Sequence, residues 1–308
     1  MAEAPTWLGI AAVERDTGIS KDSLRMWERR YQFPRPERDA QGERAYPAEQ
    51  VHKLRLIKRL LDLGHRAGRL VPADVDSLQA LLVQAQQQTF GSAPARPELT
   101  PFLDDLRAHD VEGLRRKLTQ ALLRSGLGEG VISLIAPLTT QVGELWMRGE
   151  LQVFEEHIYS ESLQLVLRQA IHAIPRLARH ERPRVLLTTL PDEQHGLGLL
   201  MAEALLALEG CECLSLGVQT PLADIVLAAA AHRADIVALS FSGYLAPNQV
   251  SEALSELRAR LPEAVELWAG GNSAALQKRS GHTKLRYLTQ LPLIAEQVQR
   301  WRTEAATV

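Results

Sequence analysis

From Pro183 onward the chain changes rhythm, and that change constrains the fold more than any other feature. Short apolar runs recur at Val185-Leu186-Leu187, Cys213-Leu214-Ser215-Leu216, Ile236-Val237-Ala238-Leu239 and Val265-Glu266-Leu267-Trp268. Stretches of helical period lie between and after them, near residues 197–209, 221–232, 247–261 and 291–303. Strands separated by helices pair in parallel, because each helix carries the chain back across the sheet before the next strand begins. The pattern predicts a doubly wound parallel sheet over residues 180–308, with a fifth strand at Leu285-Arg286-Tyr287-Leu288.

Upstream the texture is helical throughout. Residues 1–83 are rich in Arg, and residues 84–98, with Gln86-Gln87-Gln88 and Gly91-Ser92-Ala93-Pro94-Ala95-Arg96-Pro97, read as a linker. Over residues 99–179 the apolar positions Leu103, Leu106, Leu114, Leu118, Leu122 and Leu123 start a helical spacing that predicts a four-helix bundle. The net charge of −2 hides an asymmetry: residues 1–70 carry 14 Lys/Arg against 10 Asp/Glu, the remainder 21 against 27. A basic head on an acidic body suits a chain whose first domain meets phosphate. No run approaches the ~18 apolar residues of a membrane span, and Met1–Trp7 lacks the pattern of a signal peptide, so the expectation is a cytoplasmic protein with no membrane partner. Cys211 and Cys213, the chain's two cysteines, lack the Cys/His neighbours of a metal site and are expected to pack in the core.

Residues 10–30 read as helix, turn, helix. Ile10, Ala11 and Val13 give the first helix an apolar face; Gly18 tolerates positive φ in the turn, and Ser20 can cap the second helix. Leu24 and Trp27 then face inward while Lys21, Arg25 and Arg29 face out, where they suit a major groove and its phosphates and, on charge alone, equally a solvated basic face. The segments Leu24-Arg25-Met26-Trp27-Glu28-Arg29-Arg30-Tyr31, Phe33-Pro34-Arg35-Pro36 and Gly42-Glu43-Arg44-Ala45-Tyr46 resemble a MerR-type winged helix-turn-helix. The resemblance implies DNA contacts from Arg25 and Arg29 on the recognition helix and from Arg44 and Tyr46 on the wing. Glu43 stands where such wings often carry His or an aromatic residue. MerR-type readers pair through a long coiled coil, for which residues 70–98 are too short and too broken by Pro, so oligomerisation is expected from the C-terminal half.

The second constellation is Glu193-Gln194-His195-Gly196-Leu197-Gly198, just past the first strand of the sheet. Ligands of such sheets, which are flavodoxin-like in order, bind at this carboxyl edge. A loop imidazole is a good ligand for a transition metal, and a carboxylate two residues away can fix its tautomer. By itself the motif is also what an ordinary solvated loop histidine looks like. With Ser240-Phe241-Ser242-Gly243 after the third strand and Gly270-Gly271 after the fourth, it resembles the cobalamin-binding signature of methionine synthase and the mutases, Glu193 replacing the usual Asp. The resemblance implies that His195 is the lower axial cobalt ligand and that Gly198, Ser240, Ser242, Gly270 and Gly271 border the nucleotide tail.

In the bundle, Trp146 is followed ten residues later by Glu156-His157. Read alone, these are equally a core Trp and a surface Glu-His pair. The spacing resembles adenosylcobalamin photoreceptor repressors of the CarH and LitR type, which join the same three parts in the same order. That resemblance implies that Trp146 packs on the adenosyl group, Glu156 hydrogen-bonds it, and His157 takes the upper cobalt position after light. It further implies a non-enzymatic repressor that is tetrameric on operator DNA in the dark and released by light. The alternatives are a repressor responding to cobalamin without light and a corrinoid methyltransferase subunit. A phosphorylated receiver is disfavoured because Ser240 stands where its Asp would be.

Overall fold

A computed structural model describes residues 7–38, 42–62, 65–81, 96–175, 182–243, 245–277 and 284–306. The chain divides into two compact units, residues 1–94 and 95–308. Most of the expected linker, residues 84–95, lies outside the described residues. Its last residues belong to the second unit, where Pro97–Leu99 form a single 3-10 turn.

The first unit is a helix pair with a small antiparallel sheet. Helix α1 (Ile10–Thr17) stops at Gly18, whose left-handed φ of 68° lets its N–H close on the Glu14 carbonyl. Helix α2 (Lys21–Tyr31) starts at Ser20, whose hydroxyl accepts the Ser23 N–H at 3.2 Å. Strands β1 (Trp7–Gly9), β2 (Glu37–Arg38) and β3 (Arg44–Pro47) form a sheet with β3 in the middle. Helix α3 (Ala48–Asp62) follows, and Val13, Leu24, Trp27, Tyr46, Leu54 and Ile57 share one core. Arg55 ties α3 to α1 through a bidentate pair with Asp16, at 2.9 and 3.0 Å.

The second unit begins with four helical segments among the described residues. They are α4 (Thr100–Arg107), α5 (Val111–Ser125), a segment that runs from Leu127 through a π turn at Val131–Ile135 into α6 (Ala136–Arg148), and α7 (Val153–His172). Asp110 caps α5 by accepting the Gly113 N–H at 2.8 Å, and Gly149, at φ 75°, ends α6 in a left-handed turn. The sheet follows, with β4 (Arg184–Thr188), β5 (Glu212–Gly217), β6 (Ile236–Phe241), β7 (Glu266–Gly271) and β8 (Leu285–Leu288). All pairings are parallel and the order is β5-β4-β6-β7-β8, the expected flavodoxin-like arrangement. Helices α8 (Leu197–Leu208), α9 (Leu222–Ala231), α10 (Pro247–Arg260) and α11 (Leu293–Ala305) connect or follow the strands.

Alternate residues of each strand feed different cores. Val185, Leu187, Ile236, Ala238 and Trp268 join the core shared with the bundle, while Leu186, Val237, Leu239 and Leu267 join one with α9 and α10. A sheet covered on both faces needs near-continuous apolar strands, which is why these runs do not alternate with polar residues. Helix α8 is apolar almost all round, and Leu199, Leu200, Met201, Ala204, Leu205 and Leu206 are all buried. It packs on β4, β5 and β6 with one side and on α7 with another, so it joins bundle and sheet. Cys211 is buried and Cys213 half-buried, both as free thiols. Burial pushes both thiols up, Cys211 to about 12. Neither belongs to a metal-holding cluster among the described residues. No described helix is long and apolar enough to cross a membrane.

At the amino edge of the sheet, Glu266 is fully buried and accepts Arg300 at 2.6 and 3.2 Å and the Trp268 indole N–H at 2.8 Å. Burial works to raise this carboxyl's pKa, but the Arg300 and Trp268 donors outweigh it and hold it below its ordinary value. Glu266→Ala would strand these donors, and urea unfolding followed by circular dichroism should show a loss of about 3 kcal/mol.

Candidate cofactor site and DNA-facing helix

The loop after β4 turns its carboxylate inward and its imidazole outward. Glu193 is fully buried, whereas the His195 side chain is 59% exposed. Glu193 Oε1 accepts from His195 Nδ1 at 2.7 Å and from the His195 backbone N–H at 3.1 Å. Its Oε2 accepts the Ser242 backbone N–H at 3.0 Å, and the Ser242 hydroxyl proton is shared between both oxygens at 2.9 Å each. A carboxylate at Nδ1 keeps the proton on that nitrogen, so in the neutral ring the lone pair sits on Nε2. Burial alone would raise the Glu193 pKa; the His195 and Ser242 donors overcome it and hold the group ionised, below the usual carboxylate value.

Ser242 therefore does something the sequence did not announce. Its hydroxyl and amide both bind Glu193, and its Oγ lies 3.1 Å from His195 Nδ1. Ser240 and Gly270-Gly271 lie in the last residues of β6 and β7 rather than beyond them, paired in register, Ser240 with Gly270 and Phe241 with Gly271. Gly271 has a backbone reason to be glycine. Its φ is 113°, and a Cβ there would lie 2.1 Å from the Phe241 carbonyl oxygen. At Gly198 a Cβ would lie 2.8 Å from Ser240 Oγ, so α8 starts hard against the end of β6.

The bundle residues sit on two successive helices. Trp146, near the end of α6, packs partly buried against the core shared by bundle and sheet. Glu156 lies in the first turn of α7 and His157 just after it. Glu156 accepts the Ser160 hydroxyl at 2.6 Å, and His157, 70% exposed, has Nε2 3.8 Å from Glu156 Oε2. Glu155 is a residue that sequence reasoning passed over. Its carboxylate accepts the Gln152 N–H at 2.6 Å and lies 3.1 Å from His109 Nε2, which anchors the start of α7 to the turn before α5. An acidic residue three positions into a helix is the available signal for such a contact.

In the first unit, Arg25 and Arg29 are exposed on α2, and Lys21 is partly so. Lys21 pairs with Glu14 at 3.4 Å and Arg25 with Asp22 at 3.6 Å. Arg44 is half-buried against Glu28 at 3.0 Å. Tyr46 departs from the expectation of a wing contact, for it is fully buried and its hydroxyl has no hydrogen-bond partner among the described residues. The reason is that α1 and α3 pack on β3, so Tyr46 belongs to the core with Val13, Leu24, Trp27, Val51 and Leu54.

Comparison with known proteins agrees with this division. Residues 8–68 match the family of MerR HTH regulatory proteins, and two B12 binding domain families match residues 99–170 and 183–281. The HTH-type transcriptional repressor CarH of Myxococcus xanthus is 32% identical over 281 residues, covering 89% of this chain and 91% of that protein. The chain belongs to the CarH-type family of HTH transcriptional repressors. The repressor CarA of the same organism is 30% identical over 83% of this chain and 84% of that protein. A monomethylamine corrinoid protein of Methanosarcina barkeri shares the fold of the second unit, with a TM-score of 0.50 at 15% identity over 68% of this chain and 100% of that one. This CarH-type chain is thus a DNA-binding regulator rather than an enzyme, and its B12-binding domains support a cobalamin cofactor. The donor set fits such a group: an exposed imidazole whose tautomer a buried carboxylate fixes suits a cobalt-like ion.

The Glu193 network carries a pH signature. A carboxyl held below its ordinary value when folded stabilises the fold above the unfolded pKa of ~4.3. That stability is lost as pH falls through the lower folded value. Wild type should therefore exceed Glu193→Gln in unfolding free energy at pH 7, with the gap shrinking below about pH 4.

Proposed function

We propose that this chain is a light-responsive repressor that binds operator DNA as an adenosylcobalamin-bound tetramer in the dark and releases it on illumination. The observation that carries the reading is the outward imidazole of His195 on its buried Glu193 carboxylate, at the carboxyl edge of a flavodoxin-like sheet. Its place in a chain with an Arg-bearing helix-turn-helix supports a link between that site and DNA.

Adenosylcobalamin supplies, when bound, a cobalt–carbon bond that visible light breaks. In this reading His195 holds the cobalt through Nε2, and Glu193 and Ser242 hold the ring in the tautomer that leaves that atom basic. Gly198, Ser240, Gly270 and Gly271 border the nucleotide tail. Trp146 would pack on the adenosyl group, Glu156 would hydrogen-bond it, and the exposed His157 would offer the cobalt a second imidazole in the illuminated form. Arg25 and Arg29 enter the major groove with Lys21 beside them, and Arg44 meets backbone from the wing. Coupling between the sites is linkage, since a ligand that binds the assembled state alone stabilises it and so favours the form that grips two half-sites.

The test uses the full chain loaded with adenosylcobalamin in the dark. Green light should change its absorbance, lower its mass on size exclusion and release labelled operator. An unchanged spectrum and mass would sink light sensing and leave a repressor that answers to cobalamin alone. His195→Ala should weaken cobalamin uptake about 10-fold or more, whereas Arg25→Ala should weaken DNA binding with uptake intact. An illuminated spectrum identical in His157→Ala would remove His157 from the upper position.

A further inference from the structure

We propose that Thr189 is the positioning residue that sets His195, and that it does so by tying the loop carrying the imidazole to the loop after β5 through one hydroxyl. The proposal rests on the assignment of His195 as the cobalt ligand and adds what holds that ligand in place.

Thr189 follows β4 and is fully buried. Its hydroxyl donates to the Glu193 carbonyl at 2.6 Å and accepts the Gln219 N–H at 2.8 Å. Its own carbonyl accepts the Thr220 N–H at 3.2 Å, and Glu193 N–H closes the turn on the Leu190 carbonyl at 3.1 Å. One oxygen therefore holds both loops. Both loops also contain a residue other than glycine in the left-handed region, Asp192 at φ 68° in one and Gln219 at φ 61° in the other. Such conformations persist where the surroundings over-determine them. The Gln219 contact acts on the residue that adopts one, and the Glu193 contact on the neighbour of the other.

The clamp reaches the imidazole through Glu193. With its carbonyl held by Thr189 and its carboxylate by Ser242, Glu193 is fixed at both ends, and its Oε1 then fixes His195 Nδ1. Beside this, Val218 closes on Gly196, where a Cβ would lie 3.0 Å from Val218 Cγ1, so the loop after β5 also backs the residue next to His195. The neighbouring Thr188 supplies an internal control. It is equally buried, but its hydroxyl contacts the Gly217 carbonyl at 3.0 Å, Thr220 at 2.6 Å and the Thr189 carbonyl at 3.4 Å, none of them in the stretch from Glu193 to His195.

The experiment compares Thr189→Val, Thr189→Ser and Thr188→Val in the full chain, first without cofactor. Long-range proton–nitrogen spectra of 15N-histidine protein read the His195 ring, identified by its loss in His195→Ala. Wild type should show the Nδ1–H tautomer, Thr189→Val should bring the two ring-nitrogen shifts towards each other, and Thr189→Ser should restore the separation. Thr188→Val should leave it unchanged. Cobalamin uptake should follow the same order, about 10-fold weaker in Thr189→Val. A Thr189→Val ring pattern identical to wild type, or a loss that Thr189→Ser does not recover, would overturn the proposal. If Thr189→Val does not fold, hydrogen exchange at the Gln219 amide of wild type decides: protection supports the clamp, and exchange at the rate of an unbonded loop amide overturns it. Wild type that takes up no cobalamin would sink the cofactor reading instead, while the ring-nitrogen result still judges the clamp.

Discussion

A single ionised carboxylate, removed from solvent, organises the carboxyl edge of the sheet. Glu193 has two oxygens, and both are occupied, by the ring and amide of His195 and by the hydroxyl and amide of Ser242. An unpaired buried charge would cost several kcal/mol, so the fold must bring these donors to it. They come from two separate strand ends, β4 and β6, which the parallel order makes neighbours. The imidazole is exposed because the carboxylate is not.

The architecture was legible because its signals are coarse. Each of the five strands falls where a short apolar run predicts it, and Leu285–Leu288 matches residue for residue. Helix α2 is bounded by a serine cap that composition and spacing reveal. The local motif from Glu193 to Gly198 was also readable, since its parts lie within a few residues of one another.

What stayed hidden depends on which strands end up side by side. The attachment of Ser242 to Glu193 joins residues 49 apart in sequence, and no spacing announces it. Thr189 looks like any strand-end threonine until the loop after β5 is brought beside it. The burial of Tyr46 depends on packing in the same way. A wing strand with an open face would display its tyrosine, but α1 and α3 pack on β3, and Tyr46 joins their core with Val13, Leu24 and Trp27. The backbone need for glycine at position 271 likewise comes from a carbonyl on the adjacent strand.

Helix α8 also bears on how such a protein can be taken apart. It is the common wall between bundle and sheet, greasy on both sides and carrying no acidic or basic residue in its first or last turn. Cutting the chain between α7 and β4 would lay Leu199, Leu205 and their neighbours open to water, and the freed piece would stick to itself. Bundle and sheet are thus inseparable in a practical sense, because neither keeps a dry interior without the other.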